Sequence, residues 1–213
     1  MTLFTCKPYA FLLAVPFVFT AAAAAAANDA TQPDPGALPP GYSTGVTGTM
    51  HDFDYFMGSG WNATQHRLKA TGVGSKEWYE FPSRLCATPY LGGMATVDEV
   101  DMPSKGAAGL TVRTFDPAKH QWSIYWISSR DGILEMPAMV GGFHGSHGEF
   151  YGPDHDAQGR PVKVRFLWTL LDHDHAKWEQ AFSYDNRTWE TNWIADFVRG
   201  DRAELCDDGR PRR

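Results

Sequence analysis

The sequence predicts an all-β protein that folds as an antiparallel, up-and-down β-barrel of about ten strands. Apolar side chains between residues 49 and 199 alternate with polar ones at a period of two, which is typical of strands with one buried face. Clusters of Gly, Pro, Asp and Asn interrupt these tryptophan-rich runs at short intervals, as turns between strands do. Each strand can therefore pair with the next, and closing the sheet into a barrel removes its exposed edges.

The amino-terminal region has the pattern of a secretory signal peptide, which we assign to residues 1–27. Lys7 precedes the apolar run Tyr9–Thr20, and an unbroken run of alanines follows it. The apolar run is shorter than the roughly 20 residues that span a bilayer. We therefore expect a periplasmic or secreted mature protein without a membrane span; the alternative is an uncleaved membrane anchor.

Two further regions flank the predicted barrel domain, residues 49–199. Residues 28–48 are rich in Pro, Gly, Ala and Asp and hold few large apolar side chains, which predicts a flexible linker. Residues 200–213 are charged and predict a C-terminal tail. The formal net charge of the chain is −6 and its sequence has no basic stripe, so we do not expect nucleic acid as a partner. The sequence leaves the oligomeric state open.

Two cysteines, Cys86 and Cys206, follow the predicted signal peptide. Disulfide bonds persist in exported proteins, whereas the cytosol keeps most thiols reduced. We therefore predict a Cys86–Cys206 bond that ties the C-terminal tail to a strand of the barrel. The alternative is a pair of unpaired thiols, one of them in the tail.

The elements of the barrel follow from the alternating runs, taken in chain order. A short helical turn over Asp52–Phe56 is expected to plug one end of the barrel. The predicted strands are Trp61–Ala70, Ser75–Cys86, Thr88–Asp101, Gly109–Phe115, Trp122–Arg130, Pro137–His144, Gly148–Gly152, Pro161–Leu171, Lys177–Tyr184 and Thr188–Val198.

Two hairpins can be registered from their turns, because side chains two apart on a strand share a face. The first turns over residues 116–121, with Pro at a favoured turn position, and the second turns at Asp185 and Asn186. The predicted opposing pairs are Phe115 with Trp122, Arg113 with Ile124, Thr111 with Trp126, Tyr184 with Arg187, Phe182 with Trp189, Gln180 with Thr191, and Trp178 with Trp193. The interior predicted from this register holds Trp122, Trp126, Phe166, Trp168, Trp178, Phe182, Trp189 and Trp193, with Arg113, Gln180 and Thr191 among them.

Several long runs carry a family resemblance. They are Gly109–Trp126, Gly148–Gly152, Pro161–Trp168, Trp178–Ser183 and Thr188–Phe197, with Arg67–Lys69 and Leu91–Glu99 upstream. Together these runs resemble an uncharacterised bacterial domain family that is placed among the lipocalin-like, or calycin, β-barrels. The resemblance implies a β-barrel with an internal cavity and no firmly assigned reaction. The chain departs from calycin barrels at the first strand, where Gly58 and Gly60 lie three residues and one residue before Trp61 and the usual Gly-x-Trp spacing is not met.

The aromatic interior around Arg113 is the strongest candidate site. A barrel of this size can enclose one small ligand, and aromatic walls supply apolar contact. A buried guanidinium suits a carboxylate or another anion, so we predict a small hydrophobic or amphiphilic ligand whose acidic end contacts Arg113. The predicted ligand-binding residues are Arg113, Trp126, Trp168, Trp178, Gln180, Thr191, Trp193 and Arg67. The alternative is that Arg113 pairs with a core acid, such as Glu99 or Glu149, and that the tryptophans fill the core.

Other kinds of chemistry have less support in the sequence. The clusters His144–Glu149 and Asp172–His175 contain zinc-type ligands, but both lie near predicted turns, where polar residues collect in any case. We therefore predict no metal and no cofactor. A Glu179–Glu190 acid–base pair would lie on the outer face, and no catalytic residue is assigned. The alternatives to a binding protein are an enzyme, such as an isomerase or hydrolase acting on a hydrophobic metabolite, and a structural or envelope-associated protein with a filled core.

Overall fold

The computed structural model describes residues 37–213; the predicted signal peptide and residues 28–36 of the predicted linker lie outside the described residues. Ten antiparallel strands close into one barrel. The strands are β1 (Gly60–Leu68), β2 (Trp78–Tyr90), β3 (Ala95–Met102), β4 (Ala107–Asp116), β5 (Gln121–Ser128), β6 (Met139–His144), β7 (His147–His155), β8 (Pro161–Leu170), β9 (His175–Ser183) and β10 (Glu190–Gly200).

The barrel closes between its first and last strands. Each strand pairs with its neighbours in sequence, and β1 also pairs with β10. Gly60 of β1 lies opposite both Cys86 of β2 and Gly200 of β10. The predicted all-β class and the up-and-down barrel of ten strands are therefore confirmed, and the architecture is the one that the calycin resemblance implies.

The predicted register of the first hairpin is confirmed. Phe115 lies opposite Trp122, and Thr111 lies opposite Trp126, on strands β4 and β5. The odd-numbered residues of β4 and the even-numbered residues of β5 therefore share the inner face, because alternate side chains of a strand point to one side.

The predicted register of the second hairpin is wrong. Glu190, not Trp189, lies opposite Phe182, and a β-bulge between Thr191 and Trp193 shifts the pairing again. The turn is wider than two residues because the Asp185 carboxylate accepts hydrogen bonds from backbone N–H groups two and three positions later, at 2.9 and 2.8 Å. The bulge adds one unpaired residue to β10, which no turn signal announces.

This shift moves two predicted interior residues to the outer face. Thr191 lies opposite Ala181, on the side of β9 that faces away from the cavity. Trp189 packs outside the barrel, with the guanidinium of Arg165 4.7 Å from the centre of its ring and the ring of Tyr151 6.4 Å away. The interior positions that we predicted for Trp189 and Thr191 are therefore wrong.

One end of the barrel is closed by a plug, which comprises residues 53–56 and includes the 3₁₀ turn Asp54–Phe56. Phe53 and Phe56 are 1% and 3% exposed. The indole N–H of Trp61 donates to the backbone oxygen of Phe56 at 3.3 Å, and that of Trp122 donates to the oxygen of Thr49 at 2.7 Å. The predicted helical turn and its plugging position are confirmed.

The C-terminal residues are attached to the closed end of the barrel. A helical turn, α1 (Arg202–Leu205), leads into the short strands β11 (Cys206–Asp207) and β12 (Arg210–Pro211). The predicted disulfide between Cys86 and Cys206 is present, with a Cα–Cα distance of 6.0 Å. It joins positions 120 residues apart. Because the closed loop restricts the unfolded chain, we expect the bond to stabilise the fold by about 2–4 kcal/mol.

The last part of the predicted linker contacts the outside of the barrel. The side-chain amide of Gln121 donates to the backbone oxygens of Thr44 and Val46, at 2.7 and 2.9 Å. The indole N–H of Trp189 donates to the oxygen of Pro40 at 2.8 Å. These contacts fix residues 40–48 against β5 and against the turn that precedes β10.

Candidate ligand-binding cavity

The barrel encloses a cavity of about 590 Å³ that lies between the plug and the opposite end. This volume falls within the range of roughly 300–1,000 Å³ that is usual for small-molecule sites. We call the end opposite the plug the mouth; it is formed by the connections β1–β2, β3–β4, β5–β6, β7–β8 and β9–β10. The cavity wall reaches this end through Thr71, Lys105, Arg130, Asp131, Glu135 and Ala157.

Aromatic side chains form much of the cavity wall. The ring of Trp178 lies 5.1 Å from that of Phe166 and 5.5 Å from that of Trp193, and Trp193 lies 6.4 Å from Trp126. These contacts are tilted or edge-to-face, the arrangements that aromatic rings prefer. Gly109 makes room for one of them, because a Cβ atom at this position would overlap the ring of Trp126. Trp126, Trp178 and Trp193 are only half-buried, since one side of each borders the cavity.

Arg113 also faces the cavity, and it forms an ion pair with Asp98. Both side chains are buried, at 5% and 2% exposed residue surface. The guanidinium carbon lies 4.6 Å from the centre of the Phe53 ring in the plug. The alternative prediction, that Arg113 pairs with an acid in the core, is therefore confirmed, but the acid is neither Glu99 nor Glu149. Alternation along β3 turns position 98 inward and position 99 outward, where Glu99 accepts a 2.6 Å hydrogen bond from the C-terminal residue.

Polar atoms without hydrogen-bond partners lie around the deep part of the cavity. Within the described chain they include Asp98 Oδ1, Arg113 Nε, Trp168 Nε1 and Asn192 Nδ2. All four residues line the cavity. A buried polar group that lacks a partner costs about 1–3 kcal/mol, so these atoms favour a ligand that carries some polar character.

A chain of hydrogen bonds holds the aromatic wall in place. The indole N–H of Trp193 donates to Gln65 Oε1 at 2.6 Å, and Gln65 Nε2 donates to the hydroxyl of Ser83 at 2.9 Å. On the neighbouring strand, Gln180 Nε2 donates to Asn192 Oδ1 at 2.9 Å. These bonds restrict the rotamers of the side chains, so the wall is formed before any ligand arrives.

The mouth carries cations on one side. Arg67, at the end of β1, stacks on Trp193 with its guanidinium carbon 4.1 Å from the ring centre. Burial lowers the pKa of Arg67; Tyr79 opposes this shift in pKa, and the positive charge of Arg130 adds to it. The side chain is nonetheless exposed, because its surface faces the open mouth. Lys105 lies 4.2 Å from the centre of the Tyr79 ring.

Acidic side chains lie on the other side of the mouth, on the connections β5–β6 and β7–β8. Burial raises the pKa of Glu135 from its usual 4.5 to about 7, and the negative charges of Asp154 and Asp131 contribute to the same shift. The barrel order places these connections across from β1, β2 and β3. Arg130 also lies on the β5–β6 connection, but the acids Asp131, Glu135, Asp154 and Asp156 outnumber it among the cavity-lining residues here, so this side of the mouth is negative on balance.

The structure brings most of the predicted ligand-binding residues to one place. The residues of that prediction that line the cavity are Arg113, Trp126, Trp168, Trp178, Gln180, Trp193 and Arg67. Thr191 does not, because of the register shift described above. The sequence reasoning missed Asp98, Gln65, Asn192 and Lys105. Alternation along β3 shows that Asp98 and Glu99 lie on opposite faces but not which face is turned inward, and the bulge in β10 hid Asn192.

The remaining candidates do not form a second site. Asp172 accepts a hydrogen bond from Nδ1 of His175 at 2.8 Å in an exposed turn, and His144 and His147 are exposed. No group of three or more His, Cys, Asp and Glu within residues 37–213 is arranged to hold a metal ion. No helix in this range is long and apolar enough to cross a membrane.

No protein-family model matches the chain, and no curated protein matches it in sequence. What the structure defines at this point is a class: a closed ten-stranded antiparallel barrel with an aromatic-lined cavity. Membership of the calycin family remains a prediction that rests on the sequence runs and is compatible with this architecture.

Proposed function

We propose that this protein is an exported, calycin-like barrel that binds one small apolar or amphiphilic molecule in its cavity. The cavity of about 590 Å³, closed by the plug and open at the mouth, is the observation that carries this proposal. A structural protein with a filled core would need its tryptophans to occupy this space. Instead, Trp126, Trp178 and Trp193 keep apolar surface directed into it.

The apolar surface that faces the cavity favours the binding of a ligand. Removing apolar area from water lowers the free energy by about 25 cal/mol per Å². A molecule that covers the three half-buried indoles therefore binds favourably without any repacking of the protein. The hydrogen bonds of Gln65 and Gln180 hold the wall in place, which lowers the entropy that binding would otherwise cost. The disulfide between Cys86 and Cys206 supports an oxidising location, where such bonds persist.

The ion pair changes the proposed role of Arg113. Its positive charge is compensated by Asp98 in the core, so Arg113 is not needed as an anchor for an acidic group. We assign it instead to the polar floor of the cavity, together with the unpartnered atoms of Trp168 and Asn192.

Quenching of intrinsic tryptophan fluorescence by decan-1-ol, a neutral amphiphile, tests the proposal. We expect saturable binding at one site per chain. Ala107→Trp should abolish it, because Ala107 lines the cavity near the mouth. Ala108→Trp is the matched control, since the adjacent side chain points to the outer face and should leave the affinity unchanged. If decan-1-ol does not bind, or if both variants bind it equally, the proposal is wrong. If decan-1-ol binds as expected, native mass spectrometry of protein purified from its own source would identify the natural ligand.

A further inference from the structure

Arg67 and Arg130 both line the cavity at the mouth, and within residues 37–213 neither has a carboxylate within salt-bridge distance. Of the two, Arg67 is the one stacked on an aromatic ring. It lies on the inner face of β1 at the mouth, directly across from Trp193 on β10 and Tyr79 on β2. In the described part of the chain, its guanidinium has no carboxylate within salt-bridge distance. By contrast, Arg113 pairs with Asp98 and Arg160 pairs with Asp156.

A guanidinium partly surrounded by protein and left without a counter-ion is unfavourable, because burial disfavours a charge that no neighbour compensates. The positive charge of Arg130 adds to the disadvantage. An anion brought by a ligand would remove it. The uncompensated charge of Arg67 therefore favours the binding of an anionic ligand.

The geometry of Arg67 suits such a role. Its flat face rests on Trp193 at 4.1 Å, which leaves the N–H groups at the edge of the guanidinium available. Trp193 is itself held by Gln65, which is bonded to Ser83. The platform under the guanidinium is thus rigid, and a rigid fork of donors matches the two oxygens of a carboxylate or phosphate.

Neighbouring charges favour an anion on the Arg67 side of the mouth. Lys105, whose ammonium lies over the rings of Tyr79 and Phe81 at 4.2 and 4.8 Å, adds positive potential on the same side of the mouth. Glu135 and Asp154, across the mouth, repel an anion from the other side. The apolar surface of Trp178 and Trp126 begins just below Trp193.

We propose that the ligand is an anionic amphiphile whose single negative group is held at the mouth by Arg67, with its apolar part directed inward along the tryptophan wall. This inference rests on the proposed binding function and adds the charge of the ligand and its orientation. Under it, the mouth supplies charge selectivity, and the deep cavity supplies apolar contact together with a few polar atoms.

Paired probes of equal chain length test it: decanoate and decyl phosphate as anions, and decan-1-ol as the neutral reference, at about pH 8, where the carboxyl is ionised. We expect the wild type to bind at least one anion about tenfold more tightly than decan-1-ol, because a hydrogen bond to a charged group adds this much. Arg67→Gln should remove the preference, so that the ratio of the affinities for the anion and for decan-1-ol falls about tenfold, to near one. Arg210→Gln, an exposed arginine on β12, is the control and should behave as the wild type. Decanoate and decyl phosphate together show which head group the site favours.

A second measurement needs no variant. Raising the salt concentration from about 20 mM to about 500 mM should weaken binding of the anion but not of decan-1-ol, since an exposed ion pair is screened. If the wild type binds decan-1-ol and the anions equally well, or if Arg67→Gln keeps the preference, the inference fails while the proposed function stands. If none of the probes binds, the proposed function itself fails and the inference fails with it.

Discussion

Trp122 and Trp126 lie four residues apart on the same face of β5, yet they are packed in different ways. Trp122 is fully buried, donates its indole N–H to Thr49 and packs edge-on against Phe53, 5.0 Å away. Trp126 is half-buried, and its ring borders the cavity. The residue type and the strand face are the same. The distance from the plug decides whether the indole completes the core or lines a binding surface.

The arginines repeat this contrast. Arg113, under the plug, is compensated by Asp98 within the core. Arg67, at the mouth, rests on Trp193 and has no carboxylate partner among residues 37–213. The closed end of the barrel thus compensates its own buried charge and packs its own apolar groups, whereas the mouth leaves a charge and apolar surface available. A protein that binds a molecule inside a barrel needs this asymmetry, because the stable end holds the open end in shape.

Replacing each of the two β5 tryptophans is the strongest test of the difference in packing between the closed end and the cavity. We expect Trp122→Ala to lower the free energy of unfolding by about 3–5 kcal/mol, because it leaves a void beneath the plug. Trp126→Ala should lower it by less than about 1.5 kcal/mol, since half of that side chain already borders the cavity. Equilibrium urea denaturation measures both. Equal losses would show that the cavity end is packed as tightly as the plug.

Removing Asp98 tests whether the closed end compensates its own charge. We expect Asp98→Ala to lower the free energy of unfolding by about 3–5 kcal/mol, because the guanidinium of Arg113 is then buried without a counter-ion. The double variant Asp98→Leu with Arg113→Met should recover much of this loss, since it removes both charges. Urea denaturation of the three proteins decides the matter. A double variant as unstable as Asp98→Ala would mean that packing, and not charge, explains the effect.

The disulfide offers a further test, because it is attached at the closed end. Replacing Cys86 and Cys206 together with alanine should lower the free energy of unfolding by about 2–4 kcal/mol. The affinity for decan-1-ol should stay unchanged, since the bond lies far from the mouth. Urea denaturation and fluorescence quenching measure the two quantities. A large loss of affinity would show that the two ends are coupled, contrary to the comparison.

Much of the barrel could be predicted from the sequence, because period-two alternation and short turns act locally. The first hairpin was registered correctly from Phe115 and Trp122, since its turn is followed by regular pairing. The second could not be, because the Asp185 turn and the bulge at Thr191 each shift the register by one residue. The first shift turns Trp189 and Thr191 outward, because a one-residue shift reverses the face of a side chain, and the second returns Trp193 to the inner face.

The candidate site shows the same limit. Alternation was enough to bring Trp126, Trp168 and Trp178 to one cavity. It could not select Asp98 as the partner of Arg113, because that pairing depends on which face of β3 is turned inward and on how far the two strands are offset. Long-range placement of this kind arises only when the sheet closes.

The smallest expected effect concerns the negative side of the mouth. The pKa of Glu135 rises from its usual 4.5 to about 7 in the folded protein, so the folded state keeps a proton that the unfolded chain has lost. Stability from this group is therefore complete below about pH 4.5 and is lost as the pH rises towards 7. Because Glu135 is exposed at the rim, solvent screening keeps the change small.

The urea midpoint of the wild type should accordingly fall between pH 5 and pH 7 by more than that of Glu135→Gln, in which no carboxyl titrates at this position. Glu204→Gln, an exposed residue of α1 at the closed end, is the matched control and should follow the wild type. Because histidines titrate in the same range in all three proteins, the difference between the curves is the readout. If Glu135→Gln and the wild type run in parallel, neither burial nor the neighbouring acids raise the pKa of Glu135 in the folded state.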